Sequence, residues 1–289
     1  MNCNRIILIT GCSSGIGLET AIECAKAGHR VIAGVRNQKN KSILENEIEK
    51  NNLRGNLEII ELDMSKFDTF PKKIDDIIKK YSRIDVLFNN AGFMTLGSLE
   101  DCSIDEINNQ LYTDLLGPIL LTKHAIPHMK NGKNPGLVIN MSSVAGRLGF
   151  GLSTTYCTSK FGMEGFSESL RMELRQKNIN VAIIEAGVVN TKFFKNIIRT
   201  EKSKISQYAR ETESFREIID KFAYKTDSWI DPNIIAKKIN DTIIPDNGKK
   251  FRYVYGNDAN YLISNYYQNV DDISKVDKII LDIIEDYSK

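Results

Sequence analysis

Between residues 5 and 184 the chain alternates short apolar runs with longer stretches of helical periodicity, and this alternation limits the fold more than any other feature. Runs of strand length stand at 5–10, 30–35, 57–62, 84–88, 136–141 and 180–184. Helical periodicity fills the intervals at 16–27, 41–51, 70–81, about 104–129 and 155–177. A strand that leads through a helix into the next strand packs back on its sheet as a right-handed crossover, which makes neighbours parallel. The expectation is an α/β fold: a doubly wound parallel sheet with helices on both faces and ligands at the carboxyl ends of the strands.

Beyond residue 191 the pattern changes. Residues 193–224 read as polar and helical with no strand before them. Asp231-Pro232 opens a further helix to about residue 244, with proline at a first-turn position. Residues 250–255 read as a late strand that rejoins the sheet, and 260–289 as a helical tail rich in Tyr, Ile and Asp. No Gly/Ser/Pro-rich linker sets this part apart. One domain over 1–289 is expected, with 192–230 as a helical substrate lid and 256–289 as a C-terminal extension.

Composition narrows the function classes. With 39 Lys+Arg against 37 Asp+Glu the net charge is +2, so no basic face argues for nucleic acid. No apolar run reaches the length of a transmembrane segment, and the stretch 6–9 is too short for a signal-peptide core. Cys3, Cys12, Cys24, Cys102 and Cys157 are scattered and odd in number, which fits a reducing, cytoplasmic setting. His124 and His128 are spaced for a metal, but Pro127 interrupts them and no third ligand follows, so no metal is expected.

The turn Thr10-Gly11-Cys12-Ser13-Ser14-Gly15-Ile16-Gly17 lies between the first strand and the first helix. Glycines there let the backbone approach a pyrophosphate, and the helix N-terminus offers free N–H groups. A purely structural turn is the alternative. The second strand ends in Gly34-Val35-Arg36-Asn37 with no acidic residue to hold a ribose 2′-hydroxyl. Arg36 offers a planar fork of donors to a 2′-phosphate, so NADP(H) is favoured over NAD(H); a solvated surface arginine is the alternative. Asp63 reads either as an acceptor for the adenine amino group or as the N-cap of the next helix. Asn89-Asn90-Ala91-Gly92 ends the fourth strand with small residues, against which a cofactor can lie or which form a plain loop.

Tyr156 and Lys160 stand four apart on one helical face, and Ser143 precedes the tyrosine by thirteen positions. A phenol titrates near pH 10. A neighbouring ammonium favours the phenolate, each unit of lowering being worth ~1.4 kcal/mol. Tyrosine then becomes usable as an acid or base near neutrality. Taken alone the pair is as readily a half-buried Tyr beside a surface Lys. Cys157 falls one residue off this face, which points to packing.

The ordered set is TGCSSGIG at 10–17, NNAG at 89–92, Ser143 and YCTSK at 156–160. In this set the chain resembles the short-chain dehydrogenase/reductase family over about residues 5–191, and its hydroxysteroid/retinol dehydrogenase branch in 10–18, 35–36 and 156–170. The resemblance implies a Rossmann fold and an NAD(P)-dependent oxidoreductase acting on a small-molecule carbonyl or alcohol. Within it Tyr156 is the general acid or base, Lys160 bonds the nicotinamide ribose, and Ser143 holds the substrate oxygen. Gly11, Ser13, Ser14, Gly15, Ile16, Gly17, Asn90, Ala91 and Gly92 line the cofactor, with Ser14 and Arg36 at the 2′-phosphate. Residues 186–191 resemble the family's Pro-Gly-x-Val-x-Thr stretch, where Gly187, the Val189 backbone and Thr191 hold the carboxamide. The resemblance also implies a lipophilic substrate (steroid, retinoid or fatty ketone), a cover that includes Phe193 and Phe194, and a homodimer or homotetramer built through two long helices.

Two positions depart from that pattern. Ala186 replaces the usual proline and loses its rigidity. Asp114 stands where an asparagine usually takes part in a proton relay from the lysine. Ionised Asp accepts but does not donate a hydrogen bond, and it would counteract the pull of Lys160 on Tyr156, so a shifted pH optimum is expected. This position also sustains an alternative, an NADP(H)-sensing binding protein with little or no turnover.

Overall fold

The computed structural model describes residues 4–37, 39, 41–129, 134–225, 230–272, 274–275 and 277–278. Strands β1 (Ile6–Thr10), β2 (Arg30–Val35), β3 (Leu57–Glu61) and β4 (Val86–Asn89) alternate with helices α1 (Gly15–Lys26), α2 (Ser42–Lys50) and α3 (Phe70–Tyr81). A two-residue strand, β5 (Thr95–Leu96), precedes α4 (Ile104–Leu111), a π-helical turn (Tyr112–Leu116) and α5 (Gly117–Met129). Then come β6 (Gly136–Met141), α6 (Thr154–Leu174), β7 (Ile179–Ala186), β8 (Ile198–Arg199) and α7 (Ala209–Lys225). The last described elements with named bounds are α8 (Pro232–Lys238), β9 (Arg252–Tyr255) and α9 (Asn257–Gln268).

Seven strands form one sheet in the order β3-β2-β1-β4-β6-β7-β9, and every neighbouring pair is parallel. Alternate residues of each strand face opposite sides, as a pleated strand requires. Ile7 and Ile9 of β1 pack with Leu18, Ala21 and Ile22 of α1 and Ile235 of α8. Ile6 and Leu8 pack on the other side with Ile74 of α3, Leu121 of α5 and Leu170 of α6. Such two-sided burial explains why these strands read as continuous apolar runs. The chain leaves β1 in one direction toward β2 and β3 and returns to pair β4 on the other side, so a crevice opens between the carboxyl ends of β1 and β4.

The long helical stretch is present but not uniform, because the π turn inserts wider winding at Tyr112–Leu116. Leu115 packs there against Gly162 of α6, where an added Cβ would come 2.7 Å from the leucine. Pro127 lies inside the last turn of α5 rather than breaking the segment between the histidines. Among the described residues no cluster of three His, Cys, Asp or Glu could hold a metal ion, and no helix is long and apolar enough to cross a membrane.

The reading of 193–224 as helix needs correction. The α-helix begins only at Ala209, and β8 lies before it, parallel to β5. Ile198 N–H donates to Met94 O at 2.9 Å and Thr200 N–H to Leu96 O at 3.0 Å. A partner about a hundred residues away in sequence thus outweighs the local helical preference. The late strand does join the sheet edge beside β7. Asp231 caps α8 by accepting from Asn233 N–H at 2.8 Å, with Pro232 in the first turn. The tail is helical at 257–268 and again at 274–275 and 277–278; residues 273, 276 and 279–289 of the expected tail helix lie outside the described residues, as do 226–229 of the expected lid.

Candidate active site

The crevice deepens into a cavity of about 830 Å³. At one end stands the turn after β1. Gly11 has φ +72° and Gly15 φ +60°, conformations that a side chain would strain. A Cβ on Gly11 would lie 2.7 Å from Ala91 Cα, so the turn and the strand-β4 loop touch backbone to backbone. Ser14 precedes α1 in an extended conformation and caps it with no side-chain bond. Ser13, Ser14, Gly15 and Ile16 all border the cavity. This cradle of backbone at a helix N-terminus suits a pyrophosphate.

Asn90 also borders the cavity, but its amide is engaged inward. Nδ2 donates to Thr10 O at 2.9 Å and Gly11 O at 3.2 Å. Thr10 Oγ1 accepts from the N–H groups of Asn90 (3.0 Å) and Ala91 (2.9 Å). Gly17 leaves room for this amide. Asn90 therefore braces the glycine turn from β4. At the β2 end, Arg36, Lys39 and Ser42 line the cavity, and Arg36 is exposed with no protein partner among the described residues. Asp63 lines it too. The N-cap alternative fails: α3 begins at Phe70, and Asp63 Oδ1 instead accepts from Ser65 N–H (3.0 Å) and Ser65 Oγ (2.8 Å), closing a turn.

At the other end, Ser143, Tyr156 and Lys160 meet on one wall. The Tyr156 ring is buried, with Lys160 Nζ 5.5 Å from its centroid and the Phe193 ring 5.9 Å away. Ser143 stands beside the phenol and its Oγ accepts from Ala145 N–H at 3.2 Å. Lys160 Nζ lies 3.1 Å from Asp114 Oδ2, with both side chains almost fully buried, and 3.4 Å from Met141 O. Asp114 Oδ1 accepts from Phe93 N–H at 3.1 Å. Gly92 makes this approach possible, since a Cβ there would stand 2.7 Å from Asp114 Oδ2.

The electrostatics revise one expectation. Burial pushes the Tyr156 phenol above its ordinary range; the Lys160 ammonium and the Ser143 hydroxyl pull it down, and Asp114 pushes it up again. The pull of Lys160 is therefore real but does not win here. Burial alone would lower Lys160, yet Asp114 and Tyr156 hold it above its usual value. Burial raises Asp114, against the pull of Lys160. One turn beyond Lys160, Glu164 belongs to a second buried ion cluster. Arg252 Nη2 lies 3.1 Å from Glu164 Oε2 and Arg252 Nε 2.8 Å from Glu185 Oε1, while Arg147 Nη1 reaches Glu185 at 3.3 Å. This cluster underlies the loop that carries Ser143.

The loop after β7 forms a third wall with Gly187, Val189 and Thr191. Thr191 touches the glycine turn: a Cβ on Gly15 would lie 3.1 Å from its methyl group. Beyond Tyr156 the lining turns apolar, with Met94, Phe150, Phe193, Phe194, Phe215 and Ile219 packed in one cluster. Sequence reasoning missed Met94, Phe150, Asp258 and Leu262. Of these only Asp258 left a signal, an acidic residue just after Gly256 at a helix start.

The short chain dehydrogenase profile matches residues 5–202. A 3-ketodihydrosphingosine reductase from Bacteroides thetaiotaomicron is 30% identical over 213 residues, 74% of this chain and 72% of that protein. Retinol dehydrogenase 8 from Bos taurus is 36% identical over 192 residues; the match spans 65% of this chain and only 60% of that longer protein. A crystallographic short-chain dehydrogenase from Streptomyces avermitilis superposes with a TM-score of 0.80 at 26% identity, covering 95% of this chain and 98% of that one. On sequence and architecture together, the chain belongs to the short chain dehydrogenase family, NAD(P)-dependent oxidoreductases that act on CH–OH groups.

Proposed function

We propose that this protein interconverts a carbonyl and an alcohol with NADP(H), on a lipophilic substrate such as a steroid, retinoid or fatty ketone. One observation carries the reading: Ser143, Tyr156 and Lys160 stand in a single cavity between a glycine cradle and an aromatic, aliphatic cluster. The nicotinamide supplies or accepts the hydride when bound. Ser143 holds the substrate oxygen. Tyr156 gives its proton to that oxygen in reduction and takes one in oxidation. Lys160 bonds the ribose and favours the phenolate, and Asp114 takes the lysine's charge and links it to the backbone at Phe93. Gly11, Ser13, Ser14, Gly15, Ile16 and Gly17 cradle the pyrophosphate, with Asn90, Ala91 and Gly92 behind it. Arg36 and Ser14 meet the 2′-phosphate, Asp63 the adenine, and Gly187, Val189 and Thr191 the carboxamide. Support for NADP(H) comes from Arg36 and Lys39 at the β2 end, and from the stretch 34–37 carrying no Asp or Glu to favour a free 2′-hydroxyl.

Support for a lipophilic substrate comes from the six apolar side chains beyond Tyr156 and from two relatives named for a ketosphingoid and a retinol. Residues 192–230 serve as the lid in this reading and 256–289 as an extension of the same domain. The protein acts in the cytoplasm as a homodimer or homotetramer.

The test is a paired NADPH and NADH assay over steroid, retinal, quinone and acyl-ketone panels. NADPH should be preferred by at least about tenfold, the scale of one charged hydrogen bond. Tyr156→Phe should lower kcat by about 10²–10⁴ while cofactor binding persists. A clear NADH preference would overturn the Arg36 assignment. NADPH binding without Tyr156-dependent turnover on any panel would replace catalysis with sensing.

A further inference from the structure

Asp258 sits in the first turn of α9, seventy residues beyond the loop it touches. Its Oδ2 accepts from Val188 N–H at 2.7 Å. Two glycines admit the carboxylate: a Cβ on Gly187 or on Gly256 would collide with it. Gly256 also has φ +116°, so the chain turns sharply from β9 to bring Asp258 over the loop. Burial raises the Asp258 pKa, and hydrogen bonds from backbone amides, Val188 first, draw it back.

The remaining bonds of the loop show what this contact completes. Gly187 N–H donates to Tyr255 O at 2.8 Å, Ile230 N–H to Val188 O at 3.2 Å, and Asn190 N–H to Ile230 O at 2.9 Å. The peptides on both sides of Val189 are thus pinned, and Val189 itself borders the cavity. Of these pins only the one at Val188 N–H is a side chain. It is a carboxylate acceptor, stronger than a neutral one.

We infer that Asp258 is a positioning residue for cofactor binding: through Val188 it fixes the peptide that presents the 187–191 loop to the nicotinamide end of the dinucleotide. Helix α9 therefore takes part in cofactor recognition without touching the adenosine end. This rests on the reading of the cavity as a dinucleotide site, and its effect is confined to one half of the ligand.

The experiment compares wild type, D258A and D258N by calorimetry. Two ligands are used: the dinucleotide that wild type binds more tightly, and the matching adenosine diphosphate ribose (with its 2′-phosphate for NADPH), which lacks the nicotinamide ring. D258A should bind the dinucleotide about tenfold more weakly and the truncated ligand as wild type does, the loss expected for one charged acceptor. D258N keeps an acceptor oxygen and should stay within about threefold of wild type. Should D258A fail to fold, D258S, whose hydroxyl falls short of Val188, carries the same expectation. Unchanged dinucleotide affinity in the alanine or serine variant overturns the inference. So does an equal loss for both ligands, or an asparagine variant as weak as alanine. Wild type that binds neither NADPH nor NADH rejects the cofactor-site reading instead.

Discussion

Asp114 and Lys160 form a buried ion pair at 3.1 Å, and that pair decides how freely Tyr156 can titrate. Burial raises the phenol, Lys160 and Ser143 lower it, and Asp114 raises it. Asp114→Asn removes the negative charge, so the tyrosine should ionise at lower pH. Oxidation, which needs phenolate, rises with pH; in the variant that rise should move toward acid. Profiles of kcat/KM against pH for the two proteins check this, and superimposable curves would remove Asp114 from the proton path. The residues that sequence made legible share one property: their chemistry and spacing are local. Tyr156 and Lys160 lie one turn apart, and the glycine turn is contiguous. What remained hidden was direction. That Asn90 turns its amide toward Thr10 and Gly11, and Asp63 its carboxylate toward Ser65, depends on partners that spacing does not reveal.

At the level of elements, α6 is the axis of the site. Along one side it presents Tyr156, Lys160 and Glu164 at successive turns. Glu164 is pushed up to about 7 by burial and by Glu185, while the arginines Arg252 and Arg147 oppose the shift. Its folded pKa lies above the unfolded value of 4.5. The native state therefore holds this proton more tightly, so the stability it contributes is full below the unfolded pKa and lost as pH rises through about 7. Glu164→Gln should flatten that part of the stability curve. Thermal melts of both proteins at about pH 5 and pH 8 measure it, and equal slopes would show that the glutamate does not titrate in this window. The strands of the main sheet were legible as apolar runs of strand length; β5 and β8 were not, because two residues each make a strand only where the two pair. The stretch 104–129 read as a single helix because its apolar residues recur on both sides of the π turn. That turn resets which side faces inward: Asp114, in its middle, is buried, while Tyr112 and Leu116 are exposed.

For the molecule as a whole, the exposed apolar side chains on the stretch 104–116 and on α6 need an account. Ile104 is 77% exposed and Phe161 44%, with Tyr112 and Leu116 also open. The proposed assembly would cover these groups and remove them from water. Phe161→Glu should convert the expected dimer or tetramer to monomer, read by sedimentation equilibrium; a monomeric wild type would remove the assembly from the proposal. The sheet order has a consequence for how the protein comes into being on the ribosome. β1, synthesised first among the strands, ends in the interior of the sheet, and β9, synthesised last, closes its edge. The glycine turn and its brace at Asn90 can be complete within the first ninety or so residues of translation, about a third of the chain. Val188, by contrast, waits seventy residues for Asp258. The nascent chain thus acquires its cradle long before it acquires its clasp, and a protein halted before residue 258 would keep the first without the second.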